Sequence, residues 1–276
     1  MNYRHRYHAG NFGDVLRHTA QCLILESLVQ KEKGFTYIDT HAGIGLYDLK
    51  DQPYGKEEYI LGVEKIISLS EVPASLKTYY EIVKPFYFLK ENSFYPGSPL
   101  IAKHFLRPQD QMILNEWHPE DGIRLKEFFR GEARIFCHGR DAYEFLPAVL
   151  PPKPRRGLVM IDPPYEKKNE LSVAMALLKE GIKKFPEGIY LLWYPIKEYQ
   201  NEEVIRRIKK EAFSEEGLHI ELVVQKPSQE STKLLGSGLI LINPPWQIEQ
   251  KITSLLKDLY HLLSFPQEGY WRVTSF

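Results

Sequence analysis

Cysteine is nearly absent: the 276-residue chain holds only Cys22 and Cys137, and neither belongs to a C-x-x-C pair. That argues against a disulfide framework and against a structural zinc or other metal site, and it fits a reducing cytoplasm. The first residues contain no apolar leader, and no apolar run approaches the ~18 residues of a membrane span. The chain is therefore expected to be soluble, unprocessed and without a membrane partner. An excess of charge is missing too, since 36 Lys and Arg balance 36 Asp and Glu. A net charge of zero leaves no global footprint of a polyanion binder, so a nucleic acid would have to be held by local patches. Internal repeats and low-complexity segments are also lacking.

What is present is the composition of an ordinary folded chain, 43% hydrophobic and 26% charged. The length suits one large α/β domain or two small ones. Two short stretches concentrate positive charge: "MNYRHRYHAG", with Arg4 and Arg6, and "PPKPRRG", with Lys153, Arg155 and Arg156. Each reads either as phosphate contacts or as solvated surface charge.

Along the chain, apolar residues in "DVLRHTAQCLILESLVQKEKG" fall at helical spacing, with Asp14 as the expected N-cap and Gly34 as the stop. A short strand, "FTYID", runs into the loop "DTHAGIG". From about Leu49 to Tyr95 the rhythm breaks, and helical segments replace the expected strand. In "PGSPLIAKHFL", Ser98 is expected to cap a helix that begins at Pro99. Strands and helices then alternate through "QMILNE", "ARIFCHGRD", "GLVMID", "GIYLLWYP", "LHIELVVQ" and "GSGLILIN", ending in the helix "WQIEQKITSLLKDLYHLL". This alternation predicts an α/β fold with a mostly parallel sheet covered on both faces. The last two strands lie too close for a crossover helix and should pair antiparallel.

Chemistry concentrates at strand ends. In "DTHAGIG" the glycines let backbone N–H groups approach a ligand, and Asp39 can accept hydrogen bonds from a cofactor. The same spelling also suits a tight turn. Glu116 closes one strand and Asp141 follows another, so both border the crevice at the carboxyl ends of a parallel sheet, or they simply cap the next helices. "DPPY", Asp162 to Tyr165, is the sharper signal. Prolines stiffen the loop and remove donors, leaving the Asp162 carboxylate and the Pro163 carbonyl as acceptors, while Tyr165 offers a flat face. Two acceptors on the N–H protons of a planar amine would favour pyramidal nitrogen, turn its lone pair toward a methyl donor and receive the released proton.

"DTHAGIG" and "DPPY" resemble motifs I and IV of S-adenosylmethionine-dependent amino-methyltransferases, whose Rossmann-like sheet has an antiparallel last strand. With "YRHRYHAGNFGDVLRH", "YPGSPLIA", "RRGLVMIDPPYE", "LWYPI" and "SGLILINPPW" added, nearly the whole chain is similar to the RlmJ family of 23S ribosomal RNA adenine-N6 methyltransferases. The resemblance implies S-adenosyl-L-methionine as cofactor, S-adenosyl-L-homocysteine as product and 23S ribosomal RNA as partner. It implies cofactor contacts from His18, His41, Gly43, Ser98, Glu116, Asp141, Ala142 and Asp162. Catalysis would fall to Asp162 with Pro163 and Tyr165, and the substrate side to Tyr3, Arg4 and Arg6. One departure is Arg17, where family members often carry lysine, and another is Ala142, where they often carry glycine. Residues 1–276 are expected to form a single, monomeric methyltransferase domain with residues 49–95 as a helical insertion, because Glu116 lies far beyond the ~20 residues after the glycine loop at which such an acid usually stands.

Three alternatives stay open on the residues alone: methylation of DNA adenine, methylation of a protein glutamine, and a catalytically silent RNA-binding module on the same fold. A second tetrapeptide, "NPPW" from Asn243 to Trp246, follows the antiparallel strand and should emerge at the opposite end of the sheet. There Asn243 is expected to lead into the final helix and Trp246 to pack as an anchor.

Overall fold

The computed structural model describes residues 4–53, 57–89, 93–167, 169–197, 204, 216–226, 234–264 and 268–276. The first helix, α1 (Phe12–Val29), begins at Asn11, whose Oδ1 accepts the backbone N–H of Asp14 at 3.0 Å. The N-cap is thus Asn11 rather than Asp14, which lies in the first turn and is 3% exposed. Strand β1 (Thr36–Asp39) is buried along its length, as expected of a central parallel strand.

Then come β2 (Leu46–Asp48), α2 (Val63–Ile67), α3 (Lys77–Tyr87) and β3 (Phe94–Pro96). Strands β2 and β3 pair antiparallel, so the chain leaves and re-enters the main body through a two-stranded ribbon. The segment between them leans on the rest of the fold: Thr78 Oγ1 donates to Glu26 of α1.

The remaining elements are α4 (Ser98–His104), β4 (Gln111–Asn115), α5 (Pro119–Phe128), β5 (Ile135–His138), α6 (Ala142–Val149), β6 (Gly157–Ile161), α7 (Glu170–Lys184), β7 (Ile189–Ile196), β8 (Gly217–Val223), β9 (Gly236–Ile242), α8 (Ile248–Leu263) and β10 (Tyr270–Ser275). Gly97, not Ser98, caps α4; Ser98 is its first residue and makes no side-chain cap bond. The helix read around "EEVIRRIKKEAF" lies, apart from Val204, outside the described residues.

One sheet orders the strands β10-β8-β9-β7-β6-β1-β4-β5. Pairing is parallel from β5 through β4, β1 and β6 to β7, whereas β9 runs antiparallel between β7 and β8. Two apolar layers flank it. One gathers Leu16, Ile24, Ile101, Leu125 and Leu255 from α1, α4, α5 and α8; the other gathers Phe145, Leu146, Leu178 and Ile182 from α6 and α7. The chain does not end in a helix: β10 adds an antiparallel edge to β8. With β4 on one side of β1 and β6 on the other, the sheet reverses its winding at β1, and a crevice opens beyond the carboxyl ends of these strands.

Candidate functional site

Where β1 ends, Asp39 is fully buried, and its carboxylate is consumed by the protein. Oδ2 accepts the hydroxyls of Tyr37 and Ser98, each at 2.7 Å, and Oδ1 accepts the N–H of His41 at 3.2 Å. The strand-end acid therefore anchors the glycine loop from beneath instead of facing a ligand. The loop is laced to both neighbouring strands, with Thr40 N donating to Met160 O at 3.1 Å and Ala42 N to Asn115 O at 2.8 Å. Gly43 has φ +62°, and a Cβ there would sit 1.9 Å from the Tyr47 hydroxyl. Only glycine meets both conditions.

Glu116 faces this loop from the end of β4. Its Oε2 accepts Gly43 N at 2.9 Å and its Oε1 accepts His118 N at 2.8 Å. Each carboxylate oxygen keeps a second lone pair for a ligand donor. Burial pushes the Glu116 carboxyl up to about 7 against the pull of those two backbone bonds. His41, its Nδ1 2.8 Å from the Thr40 hydroxyl, is lowered to about 4 by burial and then by Arg17, so it is neutral.

Helix α1 brings a charged pair that no local motif announces. The Arg17 guanidinium contacts Asp162 of the "DPPY" loop and, through NH2, Asp14 Oδ1 at 2.5 Å. Asp14 also takes Gly10 N at 2.8 Å and lies 3.1 Å from His5 Nε2. Burial would raise the Asp14 carboxyl, but His5 and Arg17 hold it well below the usual range. Next along α1, His18 is fully buried, with Nδ1 2.6 Å from the Tyr95 hydroxyl, which in turn lies 3.2 Å from the hydroxyl of Tyr79. Burial first, then Arg17, keeps this imidazole far below the ordinary histidine range.

These groups line one cleft, partly open to solvent, with Arg6, Arg17, His18, His41, Gly43, Ser98, Glu116 and Asp162 on its walls. Its chemistry fits a nucleoside joined to an amino acid: a glycine cradle that a Cβ would fill, a carboxylate with lone pairs to spare for ribose hydroxyls, and the Ser98 hydroxyl, whose proton goes to Asp39 and whose lone pairs remain for an ammonium.

Other expected residues lie elsewhere. Asp141 accepts Tyr143 N at 2.8 Å and caps α6, and neither it nor Ala142 is among the residues lining the cleft. Pro163 is buried. Tyr165 has φ +52°, donates its hydroxyl to Trp193 O at 2.7 Å and sets its ring edge-on to Trp193. Its flat face thus does not line the cleft; the residue ties the loop to β7.

Tyr3 lies outside the described residues. Arg4 is not free for phosphate, because it donates to Glu120 and Asp121 of α5 at 3.0 Å each. Arg6 donates to the Tyr7 hydroxyl at 2.6 Å. Arg155 pairs with Glu187, and Arg156 donates to Leu28 O at 2.7 Å and Lys33 O at 2.9 Å. These two precede β6, at the amino ends of the parallel strands and away from the cleft, so they brace the fold rather than contact a substrate there. Sequence reasoning missed His5, His118 and Asp121 as wall residues and Arg17 as the partner of Asp162. Only the clustering of His5 and Arg4 near the start hinted at any of them.

At the far end of β9, Asn243 Nδ2 donates to Pro186 O at 2.6 Å and Gly188 O at 2.7 Å, bridging to the start of β7. "NPPW" is thus structural and remote from the cleft. Asn243 is not the helix cap, a position held by Gln247, and Trp246 is 87% exposed, so it anchors nothing. Among the described residues, no helix is long and apolar enough to cross a membrane.

A family model described as ribosomal RNA large subunit methyltransferase D, RlmJ, matches residues 32–275. The chain is 41% identical over 282 aligned residues to ribosomal RNA large subunit methyltransferase J of Escherichia coli (strain K12), covering 99% of this chain and 98% of that protein. It is 38% identical to the protein of the same name from Haemophilus influenzae, again with 99% and 98% coverage. The crystal structure of protein LPL1258 from Legionella pneumophila superimposes with a TM-score of 0.87 at 33% identity, covering 97% of this chain and 98% of that one.

Proposed function

The chain belongs to the RlmJ family of large-subunit ribosomal RNA methyltransferases, and from that premise we propose that it methylates the exocyclic N6 of an adenine in 23S ribosomal RNA at the "DPPY" loop. It is an S-adenosylmethionine-dependent ribosomal RNA methyltransferase with a Rossmann-like fold. The observation that carries the finer reading is the meeting of Asp162 with the glycine loop and Glu116 in one cleft.

S-adenosyl-L-methionine supplies an electrophilic methyl group and leaves as S-adenosyl-L-homocysteine. The residues have separable tasks. Glu116 accepts the ribose hydroxyls, and Ser98 with neutral His18 and His41 holds the methionyl end. Neutral imidazoles suit this role because the methyl donor is itself cationic. Asp162 Oδ1 or Oδ2 and the Pro163 carbonyl accept the two N–H protons of the target amine, which turns its lone pair toward the donor. Arg17 orients Asp162, and Asp14 orients Arg17. As nitrogen gains the methyl group it becomes positive and acidic, and Asp162 takes the proton. The adenine has to leave its stack to reach this cleft, which is easiest from a loop or single-stranded segment.

The whole chain, on this reading, is one cytoplasmic, monomeric methyltransferase domain. Residues 49–95 are an insertion whose Tyr79 and Tyr95 support His18. The test is Asp162→Ala: turnover should be lost while cofactor affinity stays within about an order of magnitude. Unchanged turnover would refute the assigned role and favour a different acceptor.

A further inference from the structure

Arg4, Arg17, Arg107 and Arg272 are held by carboxylates. Lys126, Arg130 and Arg140, on and beside the outer edge of the sheet formed by β5 and α5, are exposed and make no ion pair among the described residues. Residues 122 to 140 carry five Lys and Arg against two Asp and Glu. One of those acids, Glu132, is already paired with Lys103. Lys126, Arg130 and Arg140 are thereby left as exposed cations, although Glu120, Asp121 and Asp141 flank the stretch.

That edge is continuous with the cleft. Asn115, which ends β4 beside Glu116, holds the backbone of Arg140 from both sides, donating to its carbonyl at 2.9 Å and accepting its N–H at 3.0 Å. The Lys126 ammonium lies 3.8 Å from where a Cβ of Gly139 would stand, so it reaches back to the same turn. Lys126 and Arg130 then line one shallow trough with Cys137. The three cations run from the mouth of the cleft down the sheet edge. Beside them Trp117, just before α5, and Ile123, within it, are 54% and 58% exposed. Free cations interleaved with exposed apolar and aromatic faces are the composition of a nucleic-acid contact surface.

We propose that Lys126, Arg130 and Arg140 form the docking strip for the phosphodiester backbone of the RNA flanking the target adenine. The inference rests on the ribosomal RNA reading and adds where that RNA lies. It also accounts for how a protein without net positive charge holds a polyanion: local cations left free, while Arg4, Arg155 and Arg156 are spent on the fold.

The test uses the full chain with Lys126→Gln, Arg130→Gln and Arg140→Gln combined, a fragment of 23S ribosomal RNA and labelled S-adenosyl-L-methionine. At ~0.15 M salt the KM for RNA should rise about tenfold or more, and the slope of log KM against log salt should flatten by about 2 to 3, close to one unit per lost phosphate contact. The kcat at saturating RNA and the cofactor Kd should stay within about twofold. Lys251→Gln with Lys257→Gln, on α8, should leave all of these unchanged. Lys126→Gln alone, carrying about a third of the slope change, keeps the proposal testable if the combined variant folds poorly. If the wild-type protein methylates RNA and the folded variant keeps its KM and salt slope, the strip is refuted and the ribosomal RNA reading stands. If the wild-type protein transfers no methyl group to RNA, that reading falls and the strip with it.

Discussion

At Gly43 two demands meet that a side chain cannot satisfy together: a left-handed backbone and a Tyr47 hydroxyl 1.9 Å from any Cβ. Gly43→Ala should therefore cost about 1 to 3 kcal/mol of stability and weaken cofactor binding. Adding Tyr47→Phe should restore part of both, because the clash is with the hydroxyl; thermal melts and cofactor titration of the two variants check this. Glu116 gives a pH signature. Its carboxyl sits at about 7 in the folded protein, and a proton there competes with ribose hydroxyl donors. Cofactor affinity should be full above that value and fall as pH drops through it, by up to about tenfold per unit, and Glu116→Gln should flatten the profile. For folding, the sign is the reverse: the raised carboxyl contributes stability below its unfolded value of 4.5 and loses it as pH rises through about 7. Asp162, Glu116, Gly43 and His41 were legible because each belongs to a strand-end motif whose residues are neighbours in sequence. Arg17, His5 and Asp14 were not, since their meaning comes from a contact between α1 and a loop far away in the chain. Asp39 was misread for a related reason, because the hydroxyls of Tyr37 and Ser98 that consume it cannot be placed from spacing.

Among the elements, the parallel strands and their helices were readable from alternating apolar patterns. The direction of β9 followed from the short link that precedes it. Strand β10 escaped because its residues are half-buried and follow a long amphipathic helix that looked like an ending. The two tetrapeptides separate at this scale, since β6 and β9 run in opposite directions and deliver their loops to opposite ends of the sheet. Asn243→Ala should strip two carbonyls of their donor and cost about 1 to 3 kcal/mol, with kcat unchanged in the folded fraction. Trp246→Ala should change stability by less than about 0.5 kcal/mol, as the side chain is almost wholly exposed. Chemical denaturation read beside a methyl-transfer assay distinguishes these outcomes. A catalytic defect in fully folded Asn243→Ala would overturn the topological argument.

For the whole molecule, net charge and composition said little about substrate, and the expectation of phosphate contacts at Arg4, Arg155 and Arg156 failed because those cations serve the fold. Charge in this protein is informative only after its pairing is known. The sheet, by contrast, imposes the site: winding that reverses at β1 brings the glycine loop, Glu116 and Asp162 to one cleft whatever the surface charge. The same acceptor geometry would serve an adenine in DNA or a glutamine amide, and a silent binding module would keep the fold without turnover. One measurement separates all of these: methyl transfer from labelled S-adenosyl-L-methionine onto deproteinised 23S ribosomal RNA, with DNA and ribosomal proteins in parallel, by the wild-type protein and Asp162→Ala. The account predicts label in RNA alone, recovered as N6-methyladenosine at one nucleotide and absent with Asp162→Ala. Label in DNA or protein but not in RNA, or equal labelling of RNA by the variant, would contradict it.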